Sequence, residues 1–204
     1  MAAHEHAHAH RHDHDADDRH EPESPAEKER EAEKEATRQL ALAQIRQYPD
    51  PALRLKAYEV ESFDEDLRRL VRRMTNLMHG AQGVGLAATQ VGLLQRLFVF
   101  EPDDDGARAV VNPTLVESSA ETESDEEGCL SLQGVRVPVE RSVRVVLAGK
   151  DEKGKDVRLN LTGHSARIAQ HELDHLDGVL IIDRTDDEHR KQALAVLRPR
   201  VVLR

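Results

Sequence analysis

The 204-residue chain has no tryptophan, two tyrosines, three phenylalanines and a single cysteine. One cysteine cannot form an intramolecular disulfide, which points to a reducing compartment and leaves stability to packing alone. With so few aromatics, the core must be built from Leu, Val, Ile and Ala. No apolar run approaches the roughly 20 residues of a membrane span. The first residues lack the apolar stretch of a secretory signal, and their acidity does not suit an organelle transit peptide. The expectation is a cytoplasmic protein with no membrane partner. An excess of positive charge is also missing: Lys and Arg number 29 against 39 Asp and Glu. Residues 1–40 hold 12 acidic and 6 basic residues, leaving 27 and 23 for the rest. A domain so close to balance is not composed like a nucleic-acid binder, and no DNA partner is expected.

What is present divides the chain into three parts. Residues 1–25 alternate His4, His6, His8, His10, His12 and His14 with small and charged residues, then add His20 and a Glu-Pro-Glu-Ser-Pro close. Without hydrophobic periodicity this reads as a disordered, acidic, His-rich tail, either a solvated extension or a metal-binding one. Residues 26–41 are Ala, Glu, Lys, Arg and Gln, a charged, helix-prone linker. Apolar residues recur from Leu42 onward, so residues 42–204 are the expected folded domain.

Within that domain Ser62-Phe-Asp-Glu65 has the capping-box pattern, and Leu67, Leu70, Val71, Met74, Leu77 and Met78 recur at helical spacing up to Gly80. His79 is placed to cap the helix end. Strands are expected at 96–101, 109–111, 135–139, 142–148 and 157–161, with Asn112-Pro113 ending the second and 150–154 turning a hairpin. The acidic, Ser-rich stretch 117–127 reads as a loop, Val179–Ile182 as a short strand, and 186–197 as a C-terminal helix.

The chemistry concentrates in Gln170-His171-Glu172-Leu173-Asp174-His175. On a helix, His171 and His175 stand one turn apart on one face and can share a metal ion, with Glu172 beside them as acid/base. A catalytic site of this kind needs a third protein ligand and an open position. Cys129, in the Gly-flanked turn Glu127-Gly-Cys-Leu-Ser131, is the best candidate. Taken alone, His-Glu-x-x-His also fits a zincin-type peptidase, whose third ligand is usually a downstream His or Glu; among histidines only His189 lies downstream here. A metal-storage or delivery protein using the His-rich tail is a further alternative.

Three stretches together carry a resemblance. Gly83-Val-Gly-Leu-Ala-Ala-Thr-Gln90, Glu127-Gly-Cys-Leu-Ser131 and Gln170-His-Glu-Leu-Asp-His175 resemble, in order, the three signature motifs of peptide deformylase. Tyr48-Pro-Asp-Pro51 and Leu176-Asp-Gly-Val-Leu180 extend the match from about Ile45 through Arg184. The resemblance implies an α+β fold, with small, mostly antiparallel sheets around a central helix carrying the His-Glu-x-x-His motif. It implies hydrolysis of the formyl group from N-formylmethionyl nascent peptides, releasing formate. Cys129, His171 and His175 would hold the metal, Glu172 would shuttle the proton, and Gln90 with the Leu130 N–H would form an oxyanion hole. Gly85 and Glu127 would lie along the substrate, Val84 and Leu130 would wall the methionine pocket, and Arg136 matches a substrate-side arginine. The family works best with Fe²⁺, with Ni²⁺ or Co²⁺ as substitutes and Zn²⁺ often poor, although the ligand set alone suggests zinc. Docking at the ribosome is a further implication, with Arg198, Arg200 and Arg204 available to RNA phosphates. The chain departs from the family pattern at Leu132-Gln133-Gly134, where a branched apolar residue and proline are usual, and at His164, where an apolar residue is usual.

Overall fold

The strand Leu97–Phe100 is buried on both faces, and the domain is arranged around that fact. Strand side chains alternate between faces, so Leu97 and Val99 enter one apolar cluster while Phe98 and Phe100 enter another. In this computed structural model, which describes residues 24–102 and 106–198, the strand is β2 of a five-stranded antiparallel sheet. The order is β1-β2-β3-β6-β7, with β1 Gly85–Ala87, β3 Arg108–Ser118, β6 Arg144–Lys150 and β7 Asp156–Thr162. The strands β4 Thr122–Gly128 and β5 Arg136–Ser142 form a separate hairpin.

Helix α1 covers Pro25–Leu42, α2 Glu65–Gly80, α3 Gly163–Leu176 and α4 Asp187–Leu197. The first cluster joins Leu67, Val71, Met74, Leu77 and Met78 of α2 and the end of α1 to Leu97 and Val99. In the second, α3 sets Ala166, Ala169, Leu173 and Leu176 against Phe98, Phe100, Val145 and Leu147. A third cluster lies under the hairpin, where Val135, Val137 and Val139 meet Leu180, Ile181, Ile182 and Ala193. The sheet therefore carries helices on both faces, with the metal-motif helix α3 buried against one of them, an α+β architecture.

Several expectations need correction. The helix α2 is capped by Asp64, whose Oδ1 accepts from the Leu67 N–H at 3.0 Å, two residues later than the Ser62 capping box would place it. His79 contacts Glu101 at 3.3 Å, so its partner lies on the sheet side instead of at the helix end. Asn112-Pro113 does not end β3. Asn112 adopts φ 51° at an irregularity in the ladder and bonds both backbone groups of Val60, at 2.8 and 2.9 Å, so the strand bends and continues.

The acidic stretch 117–127 is a strand end and most of β4. Its carboxylates up to Glu126 point outward, where Arg144, Arg158 and Arg136 meet Glu121, Glu117 and Glu126, while Glu127 turns inward and β5 satisfies the backbone. Val179–Ile182 is no strand: Ile181–Asp183 forms a 3-10 turn held by the third cluster. The charged linker forms α1, started by a reciprocal capping box between Ser24 and Glu27 and packed through Ala41 and Leu42. The expected tail lies outside the described residues up to residue 23, as do Arg200 and Arg204.

The core places a steep demand on Phe98, fully buried and edge-on to Phe100 at 5.3 Å between ring centroids. Phe98→Ala is expected to cost about 3–5 kcal/mol, read as a lower urea midpoint at an unchanged m value.

Candidate active site

Three ligand atoms converge from two elements. Cys129 follows directly on β4, and His171 and His175 project from one face of α3. Their potential ligand atoms all lie within 4.8 Å of one another, and Cys129 Sγ is 3.2 Å from His175 Nε2. His171 Nδ1 lies 3.0 Å from Glu127 Oε2. A hydrogen bond there fixes the tautomer and leaves Nε2 free to bind a cation, the carboxylate–histidine arrangement common around metals. His175 is buried, and burial together with the neighbouring His171 holds its pKa well below the usual range, so its imidazole is neutral, the form that ligates. One thiol and two imidazoles, brought together beside a buried carboxyl, fit a divalent transition metal.

Glu172 is almost wholly buried, and its Oε2 has no hydrogen-bond partner among the described residues. Burial raises its pKa to about 7, only partly offset by His171 and Arg141. An orphaned, buried carboxyl oxygen beside a three-ligand cluster is suited to hold a reacting water and exchange protons near neutrality. Gly85 sits directly against it. A Cβ at that position would collide with Glu172 Oε1 and lie 2.9 Å from the carboxyl carbon. The glycine therefore secures the close approach of β1 to the catalytic helix.

Gln90, in the 3-10 turn Ala88–Val91, is buried and oriented from both ends of its amide. Its Oε1 accepts from the Ala87 N–H at 2.8 Å, which turns Nε2 toward Ser131 Oγ at 3.1 Å and Cys129 Sγ at 3.7 Å. The surrounding cleft, of about 760 Å³, is lined by Gly83, Val84 and Gly85, by residues 125–130, and by His164, Ile168, His171 and Glu172 of α3. Val84 is half exposed, while Leu130 packs over Gly83. Arg136 is exposed on the lining and is held at Glu126, 3.4 Å away.

Glu127 lines the cleft, and its carboxylate is engaged by neighbouring side chains. It accepts from Arg141 at 2.9 and 3.0 Å, from Arg167 at 2.9 Å, and meets His171. Arg141 in turn donates to Asp174 at 2.6 Å, and Asp174 also accepts from Arg184. Burial alone would raise the Glu127 carboxyl, but His171 and Arg141 outweigh it and hold the pKa at about 2. Arg141, Arg167 and Asp174 were not among the residues expected at the site. A usable signal exists: Val137 and Val139 alternate onto the buried face of β5, and the same parity places Arg141 there. His189, the only downstream histidine, lies on α4 with Nδ1 2.6 Å from Asp186, outside the cluster.

A sequence model of the polypeptide deformylase family matches residues 42–191. The chain belongs to that family. Peptide deformylase from Thermotoga neapolitana is 49% identical over 141 residues, covering 69% of this chain and 85% of that protein. The crystal structure of peptide deformylase from Thermotoga maritima shares 47% identity and a TM-score of 0.68, covering 70% of this chain and 96% of that one. A Legionella pneumophila peptide deformylase superposes with TM-score 0.72 at 38% identity, over 75% and 91%. The family is metal-dependent, and the Cys129–His171–His175 cluster is the group of described residues able to serve such a cation.

The Glu127 network has a pH signature. An unfolded glutamate titrates near 4.5, and the folded one at about 2. Its contribution is thus fully present above the unfolded value and lost as pH falls from there toward 2. The metal-free chain is expected to lose more stability between about pH 5 and about pH 3 than its Glu127→Gln variant, measured by urea denaturation. Parallel losses in the two proteins would show that Glu127 is not held low.

Proposed function

We propose that the cleft runs peptide deformylation with the residue roles that follow. The chain is a metal-dependent hydrolase that removes the formyl group from formylated nascent peptides, the activity of its family. The observation that carries the assignment of roles is the buried, partnerless Glu172 oxygen beside the Cys129–His171–His175 cluster. When bound there, a divalent metal supplies a Lewis acid that acidifies water and polarises the formyl carbonyl. We assign Fe²⁺ as the working metal, with Ni²⁺, Co²⁺ or Zn²⁺ as substitutes.

Glu172 accepts a proton from the attacking water, which adds to the formyl carbon. The developing oxyanion takes hydrogen bonds from Gln90 Nε2 and the Leu130 N–H; one such donor is typically worth about 2.7–4 kcal/mol. Glu172 then returns the proton to the departing amine, and formate leaves with a free N-terminal methionine. Val84 and Leu130 wall the pocket for the methionine side chain, Gly85 lies along the substrate, and Arg136 takes the peptide further along the cleft. Glu127 works through His171, as a positioning residue. A cytoplasmic location and transient docking at the ribosome belong to the same reading. Among the described residues no helix is long and apolar enough to cross a membrane.

Glu172→Gln is expected to keep its metal and lose at least about 100-fold in kcat, followed by formate release from formyl-Met-Ala and by metal analysis of anaerobically purified protein. Full activity in that variant would remove the proton shuttle. Gly85→Ala pushes the carboxylate aside without touching a ligand. It is expected to lower kcat by about 100-fold at unchanged metal content; a rise in KM with kcat unchanged would show that Gly85 acts through substrate contact only and does not position Glu172.

A further inference from the structure

Helix α1 precedes the stretch that the family model matches, apart from its last residue, Leu42. It nevertheless reaches the catalytic cleft. Ala41 and Leu42 are buried in the first apolar cluster, and a Cβ at Gly80 would lie 3.2 Å from the Ala41 Cβ, so the end of α1 is packed closely on the end of α2. Leu42 and, one turn earlier, Arg38 line the cleft. From Ser24 to Leu40 every residue is exposed except Arg38. The one partly covered side chain of that solvated stretch is a guanidinium, and the cleft is what it borders.

Other ionic groups along the cleft are engaged. Arg167 donates to Glu127 at 2.9 Å, Arg136 is held at Glu126, and Asp125 accepts from the Glu126 N–H. Arg38 Nη1 meets Glu35 at 3.4 Å, and among the described residues it has no further partner. A guanidinium whose fork is largely open is suited to take a carboxylate through two parallel N–H bonds.

The helix also sets the distance. Leu42 shares its cluster with Ala81 and Leu130, and Leu130 walls the methionine pocket proposed above. Arg38 stands four residues back along the same helix face, about 6 Å of rise. An extended peptide advances about 3.3 Å per residue. Two residues cover that span, which brings the third residue of a substrate, counted from the methionine, opposite Arg38.

We propose that Arg38 pairs with an acidic side chain at the third residue of the formylated peptide, so that chains with Asp or Glu there are preferred. The inference rests on deformylation at the cleft of Cys129, His171 and His175.

The test uses the metal-loaded full chain and follows formate release from formyl-Met-Ala-Glu-Ala amide and formyl-Met-Ala-Gln-Ala amide, which differ in one charge. Wild type should show a kcat/KM about threefold higher for the Glu peptide, the size of an exposed ion pair. That ratio should fall toward one in about 0.5 M NaCl. Arg38→Ala, which keeps a strong helix former, should bring the ratio to about one; Arg38→Lys should retain part of it, and Arg38→Glu should invert it. Moving the Glu/Gln pair to the second residue should shrink the wild-type difference, and an equal preference there would overturn the placement at the third. A role confined to holding α1 in place would lower both peptides together and leave the ratio as in wild type, which would overturn the proposal. So would a wild-type ratio of one. Formate release from neither peptide by wild type would overturn the deformylase reading itself, and this inference with it.

Discussion

The Glu127 carboxylate is the contact on which the site depends. It receives both forks of Arg141 from the neighbouring strand, Arg167 from one turn before His171, and the imidazole of His171 itself. Burying this many charges is costly, and such clusters are not reliable sources of net stability. Their effect here is positional. Glu127 ties the β4–β5 hairpin to α3, and Cys129 lies two residues further along the same chain. Once Glu127 is locked to His171 and Arg167, Cys129 arrives opposite His171 and His175. The strand-borne ligand and the helix-borne ligands are thus set by one buried anion.

The sheet supplies the other half of the positioning. Because β2 is buried on both faces, α3 can pack on one side while α2 closes the other. That arrangement lets β1 run against α3, where Gly85 admits the Glu172 carboxyl at a distance that excludes a side chain. Gln90 follows on the same segment and is oriented by its own turn, through Ala87. The acid/base and the oxyanion donor are therefore placed by backbone proximity, and the ligands by ionic contacts. Two different physical devices converge on a single cleft.

Much of this was legible in the sequence, and the boundary of legibility is physical. His171, Glu172 and His175 are readable because a helix repeats every 3.6 residues and puts them together at once. The helices α2 and α4 and the hairpin at 150–154 carry local signals of the same kind. Strand β4 is not legible because its apolar alternation is missing: of Thr122–Gly128 only Glu127 is buried, and the ladder to β5 supplies the structure. The continuation of β3 past Asn112 is not legible either, since no local rule says that its side chain will be held by Val60, 52 residues away. The Glu127–Arg167 pair spans 40 residues and leaves no periodic trace. Arg141 was the exception, a charge on an otherwise valine face that only a buried partner could justify.

The network also explains how the site balances its charge before a cation enters. Asp174 and Glu127 face Arg141, Arg167 and Arg184, so the fixed shell is not short of positive charge. Glu172 is outside that shell, with no guanidinium bonded to it among the described residues, and burial raises its pKa to about 7. His171 behaves in the opposite sense: burial opposes its charged form, but contacts with Cys129 and Glu127 outweigh burial and raise its pKa well above the ordinary value. A divalent cation at Cys129, His171 and His175 must displace the protons on its ligands, and its positive charge favours the ionised form of Glu172. The same low-dielectric pocket that raises the Glu172 pKa to about 7 makes its ionisation responsive to a cation beside it. Burial and charge therefore couple metal occupancy to the protonation state the reaction requires.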